Sequence, residues 1–198
     1  AKEKEPLAKC HLARCYELGI GSIKVDKTIA EALYKEAEEA SKGPLTKADY
    51  YLILAKNAEK ESVKNYDEII SLYEKASKLG NKEALDRLFQ LGMAYEQGFE
   101  NIEPNAGSAF SLYQTAANQG HSKAQRAFGR CYEKGIGVLK NIEKAKEWYE
   151  KAATSGETDP EFLLDIMDLG GKLPDLSDEE KKALLSLALS KSDEKALV

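Results

Sequence analysis

Four tyrosines recur along this chain at near-equal intervals: Tyr34, Tyr73, Tyr113 and Tyr149, separated by 39, 40 and 36 residues. The text around them returns with them. LYKEAEEASKG ends at Gly43, LYEKASKLG at Gly80, LYQTAANQG at Gly120 and WYEKAATSG at Gly156. A second text precedes three of the four: YELGIG at Tyr16–Gly21, YEQGFE at Tyr95–Glu100 and YEKGIG at Tyr132–Gly137. A period in this range marks an array of small units. No unit buries its apolar face alone, so neighbours must stack.

Each unit reads as two helices. Helix A carries small and apolar residues at helical spacing, as in Ala124, Ala127, Phe128, Cys131 and Tyr132. It ends at Gly19, Gly98 or Gly135, where a left-handed cap suits glycine. Helix B opens at Asp26, Asn65, Asn105 or Asn141, each eight residues before its tyrosine. Those side chains accept from free backbone N–H groups. Asn65 and Glu68 are spaced for a capping-box-like pair. Alanines at 30, 37, 76, 109, 116, 145 and 152 permit close helix approach. Gly80, Gly120 and Gly156 close helix B, each seven residues after its tyrosine.

Two regions depart from this pattern. The first helix of the second unit, about 46–60, lacks the Gly-x-x-Tyr-x-x-Gly text. Beyond Gly156, Asp159-Pro160 reads as an N-cap with a first-turn proline, and Ser177–Glu180 as a capping box. A last helix, about 178–190, carries Ala183, Leu184, Leu187 and Ala188 and is expected to cover the final exposed face.

Composition restricts the function. A net charge of −5 and a pI near 5.3 argue against nucleic-acid binding. No apolar run approaches the roughly 20 residues of a membrane span, so direct membrane insertion is not expected. No leader-like segment is present and the chain starts at Ala1, so we expect a piece of a longer protein. Cys10, Cys15 and Cys131 do not form a disulfide framework and read as reduced packing residues.

Chemistry is sparse. The Gly-Ile-Gly turns follow helices and recur with the repeat, unlike phosphate loops. His11 and Cys15 share a helix face but supply only two ligands, short of a zinc site, so no metal and no cofactor are expected. No Cys/His or Ser/His/Asp arrangement stands out, and no catalytic residue is assigned. Glu31/Lys35, Glu74/Lys78 and Glu147/Lys151 are spaced as surface i,i+4 pairs, each worth about 0.3 kcal/mol. Trp148 reads as core.

The text from Ala124 to Gly156 resembles the Sel-one-like repeat, a relative of the tetratricopeptide repeat. Units at about 7–43 and 84–120 match with gaps, and 47–80 matches in its second helix. The resemblance implies an all-α, right-handed solenoid of about four to five antiparallel helix pairs, a single array with end helices at about 159–190. It implies an adaptor that holds other proteins, as in membrane-associated degradation, cell-wall synthase activation, bacterial signalling or host interaction. In such relatives helix A lines a concave groove.

On that basis the expected partner-binding residues are those of helix A not needed for packing. Arg14 and Arg130 occupy one repeat position, which Met93 fills in the third unit. Arg87, Gln90, Gln125 and Arg126 lie nearby in the sequence. Such a set suits an extended acidic or mixed peptide. We expect a protein or peptide partner, a monomer, and a cytoplasmic location, with a lumenal, periplasmic or secreted one as the alternative. The competing readings are a docking region of a larger enzyme and a small hydrolase using a cysteine.

Overall fold

The computed structural model describes residues 4–40, 46–60, 64–99, 102–184 and 186. Gly43, Glu100, Leu187, Ala188 and Ser190 therefore lie outside the described residues. The described elements are helical: α1 Lys4–Leu18, α2 Lys27–Ala40, α3 Lys47–Ala58, α4 Tyr66–Lys78, α5 Lys82–Gln97, α6 Ala106–Asn118, α7 Ser122–Lys134, α8 Ile142–Thr154 and α9 Pro160–Asp168. A further helical stretch runs over 178–184. Among the described residues there is no strand, only an isolated bridge between Phe99 and Ile102. The chain divides into two compact units, Ala1–Leu85 and Asp86–Val198.

In unit 1, α1 packs on α2 and α3 on α4, with α1 also touching α3. Cys10 and Ala13 of α1, Tyr34 and Ala37 of α2, Tyr50, Tyr51 and Ala55 of α3, and Tyr73 and Ala76 of α4 are buried. In unit 2, α7 packs on α8, and α6 and α9 lie against them in chain order. This stacking of successive helix pairs within each unit is the all-α solenoid architecture.

The predicted caps form. Asn65, Asn105 and Asn141 accept from the backbone N–H three residues on, and Asp26 accepts from Ile29. The return half of the Asn65–Glu68 box is replaced, because the Glu68 carboxylate turns to Arg14 at 3.3 Å. Thr46 and Asp49 close a full capping box at the irregular α3. The φ of +76° at Gly135 lets α7 end in a left-handed residue whose N–H reaches the Cys131 carbonyl. Gly19 and Gly98 share that sign.

The expected i,i+4 pairs are not what the structure shows. Among the described residues the ion pairs run chiefly between helices, as Lys9–Glu36, Arg14–Glu68, Lys47–Glu17, Lys56–Glu83, Arg126–Glu157 and Arg130–Glu96. Lys151 lies instead over the Trp148 ring, 4.0 Å from its centroid. Trp148 is half-buried, edge-on to Phe128 at 4.9 Å.

At the C-terminal side, Asp159 caps α9 through Phe162 N–H, and Ser177 and Glu180 exchange capping bonds. Phe162, Leu163 and Ile166 of α9, with Leu184, bury against Tyr149, Ala152 and Ala153 of α8. Leu184 fills the core position expected of it, while Ala183 is exposed.

Candidate functional site

The repeat tyrosine does more than fill a seam. Its hydroxyl donates to the glutamate that ends helix A of the same pair: Tyr34 to Glu17 at 3.0 Å, Tyr113 to Glu96 at 2.7 Å and Tyr149 to Glu133 at 2.6 Å. Each of these glutamates follows the tyrosine of the Tyr-Glu-x-Gly text, namely Tyr16, Tyr95 and Tyr132. Burial, reinforced by the facing carboxylate, pushes the Tyr113 and Tyr149 phenols far up, so they remain hydrogen-bond donors. A helix A residue of the next pair joins the same carboxylate. In unit 2 it is Arg130, whose Nη2 donates to Glu96 at 2.6 Å. In unit 1 it is Lys47, 3.3 Å from Glu17.

In unit 2 these helices wall a groove of about 480 Å³. One wall is α5, through Phe89, Met93 and Gln97. The floor is α7, through Lys123, Arg126, Ala127, Arg130 and Lys134. The far wall is α9, through Phe162 and Asp165. Tyr113, Tyr149, Glu133 and Glu157 complete the lining. The α7 residues are spaced three or four apart, so they share one helix face. Arg126 is held by Glu157 at 3.3 Å and lies 4.7 Å from the Phe162 ring centroid. The groove thus offers a basic floor between two partly apolar walls.

Of the residues expected from sequence, the groove brings together Met93, Arg126 and Arg130. Gln125 does not line it. That side chain is 6% exposed and donates through Nε2 to the Ala117 carbonyl, on the opposite side of α7 from Lys123. Arg87 donates to Gln90 at 2.7 Å, and neither lines the groove. Arg14 belongs to unit 1 and pairs with Glu68. The sequence reading missed Phe89, Lys123, Lys134 and Phe162. The signal for the lysines was present: steps of three, four and four residues link Lys123, Arg126, Arg130 and Lys134.

The cysteines and histidines have structural surroundings. Burial pushes the Cys10 thiol up to about 11 and the Cys131 thiol up to about 12, with Glu38 and Glu96 respectively adding to it. Both are therefore protonated at neutral pH and poor nucleophiles. His11 Nδ1 lies 3.0 Å from the Tyr50 hydroxyl. His121 caps α7 through Nδ1, meets Asp86 through Nε2 at 2.9 Å and stacks on Phe89. Among the described residues no group of His, Cys, Asp and Glu is placed to hold a metal ion. No helix among them is long and apolar enough to cross a membrane.

Comparison with known proteins agrees with this repeat anatomy. The family profile described as Sel1 repeat matches residues 6–41, 64–81, 88–121 and 122–157. The chain is 28% identical over 188 residues to chitin synthase regulatory factor 3 of Schizosaccharomyces pombe, covering 93% of this chain and 20% of that protein. It is 29% identical over 192 residues to chitin synthase regulator SKT5 of Saccharomyces cerevisiae, covering 95% of this chain and 26% of that one. The chain therefore spans only about a fifth to a quarter of these relatives' length. The crystal structure of a Sel1 repeat protein from Oxalobacter formigenes is 26% identical, with a TM-score of 0.46 over 90% of this chain and 71% of that one. With the profile matching more than half of its residues, the chain belongs to the Sel1 repeat family.

Proposed function

We propose that this chain is a non-catalytic interaction module, and that its groove along α7 holds a peptide segment of a partner protein. The observation that carries the reading is the groove's construction: first helices of three successive pairs, α5, α7 and α9, converge on it. Their side chains are held before any partner arrives, Arg130 by Glu96 and Arg126 by Glu157. A preformed surface loses little entropy on binding. The relatives named as regulators of chitin synthase support a role exerted through another protein. So does the rat relative named DAP3-binding cell death enhancer 1, 41% identical over 66 residues.

The test uses a substitution that unit 1 already contains. Tyr51 of α3 stands where α7 has Ala127, so Ala127→Tyr is expected to fill the groove while remaining compatible with the repeat. Peptides selected from a random display library against the wild-type protein should lose at least tenfold in affinity for Ala127→Tyr. They should bind Gln90→Ala unchanged, with far-UV circular dichroism equal in all three proteins. Equal affinity for Ala127→Tyr would overturn the reading.

A further inference from the structure

We infer that the segment the groove takes is an extended one with two carboxylate side chains about four residues apart, flanking one apolar side chain. This rests on the groove reading above and sharpens it. The four cations of the α7 face differ in what they have to give. The two central ones are neutralised from within, Arg130 by Glu96 and Arg126 by Glu157. The two at the ends, Lys123 and Lys134, are exposed and form no ion pair among the described residues. The other carboxylates of the lining are occupied differently. Glu133 takes the Tyr149 hydroxyl at 2.6 Å, and Asp165 of α9 lies close enough to Tyr149 to raise its phenol. Neither carboxylate neutralises the end lysines.

The spacing sets the length of the partner. Eleven residues of α-helix separate Lys123 from Lys134, a rise of about 16 Å. An extended chain advances about 3.3 Å per residue and returns to the same face every second residue. Side chains four residues apart on such a chain are about 13 Å apart, and the flexible lysine stems cover the difference. The side chain midway between them points the same way. It meets the middle of the groove, where Met93 and Ala127 lie with the aliphatic stem of Arg130. An exposed lysine–carboxylate pair is worth up to about 1 kcal/mol, so each end contributes roughly a fivefold gain in affinity.

The experiment is a display selection from random peptides against the whole protein, run in parallel on the wild type and on Lys123→Glu plus Lys134→Glu. Both lysines are exposed, so the double variant should fold, which circular dichroism checks. The expected result is enrichment of acidic pairs four residues apart around Leu, Ile, Met or Phe with the wild type. With the double variant the acidic pairs should vanish and the apolar anchor remain. Representative wild-type peptides should weaken about twentyfold on the double variant and weaken with added salt. Binders blocked by Ala127→Tyr but lacking the acidic pair would overturn this inference and leave the groove reading standing. Binders indifferent to Ala127→Tyr would overturn both. Sedimentation with phosphatidylserine vesicles, lost in the double variant and with no peptide enriched, would identify an anionic membrane as the occupant and overturn both.

Discussion

Unit 1 and unit 2 build the same seam and leave different surfaces beside it. Ala48, Leu52 and Ala55 of α3 take the buried places that Ala124, Phe128 and Cys131 take in α7. Beside those matching cores the neighbouring helix positions diverge. Where α7 carries Lys123, Arg126, Ala127 and Arg130, α3 carries Lys47, Tyr50, Tyr51 and Leu54. Tyr51 is 2% exposed and donates to Glu17 at 2.5 Å. Lys47 is drawn inward, bonded to Glu17 and 4.3 Å from the centroid of the Tyr34 ring. In unit 1 these positions satisfy an internal carboxylate. In unit 2 Arg130 does so for Glu96, and Lys123 and Arg126 join it as cations along a groove. The repeat therefore decides where helices pack, and a handful of other positions decide whether a groove with a basic floor is left beside them.

The comparison breaks hardest where helix A meets the repeat tyrosine. At that position α1 of unit 1 has Ala13, whereas α5 and α7 of unit 2 have Gly92 and Gly129. A Cβ at Gly129 would lie 2.5 Å from Cδ1 of Tyr149 and 3.2 Å from the Ala145 carbonyl. Gly129→Val should destabilise by about 3 kcal/mol through overpacking. Ala13→Gly should cost only about 1 kcal/mol. Urea denaturation reads both, and equal costs would show that the two seams are packed alike.

The next contrast is between the glutamates. Glu96→Gln should cost about 2 kcal/mol, since it weakens bonds from both Tyr113 and Arg130. Glu17→Gln should cost about 1 kcal/mol and act through pH. Burial pushes the Glu17 carboxyl up, but bonds from Tyr51, Lys47 and Tyr34 outweigh it and hold the pKa below the ordinary 4.5. Its contribution is complete above pH 4.5 and is lost as pH falls through the folded-state value. Acid denaturation of Glu17→Gln should be correspondingly shallower. An acid limb identical to wild type would remove Glu17 from the account.

Smaller effects separate surface from core. Thiol labelling of the native protein at pH 8 should modify Cys15, which is half-buried, well before Cys10 and Cys131. Comparable rates at all three would show that helix A opens readily. Leu139 is 88% exposed, so Leu139→Ser should change stability by less than about 0.5 kcal/mol in thermal denaturation.

Much of the fold was legible because repeats report it several times over. Tyr113 and Tyr149 are readable as seam residues since each stands eight residues after an Asn cap and seven before a Gly. The groove was legible only in part. Arg130 and Met93 were singled out by repeat position and Arg126 by lying near them in the sequence, and all three line the groove. Gln125 was misplaced because adjacent residues on a helix lie about 100° apart. One step from Arg126 leads to the buried side, and sequence proximity carries no such direction. The i,i+4 pairs failed for a related reason: spacing permits Glu147 to meet Lys151, but the Trp148 ring competes for the ammonium.

The period, the caps, the helix-ending glycines and the pairing of helices follow from local chemistry, because backbone N–H groups and small residues act over a few positions. The choice of partner for each charged side chain does not. Glu96 meets Tyr113 and Arg130 from elements 17 and 34 residues away, and that meeting turns Arg130 into a fixed part of the groove floor. Long flexible side chains reach several candidates, and folding selects among them only once the helices are stacked.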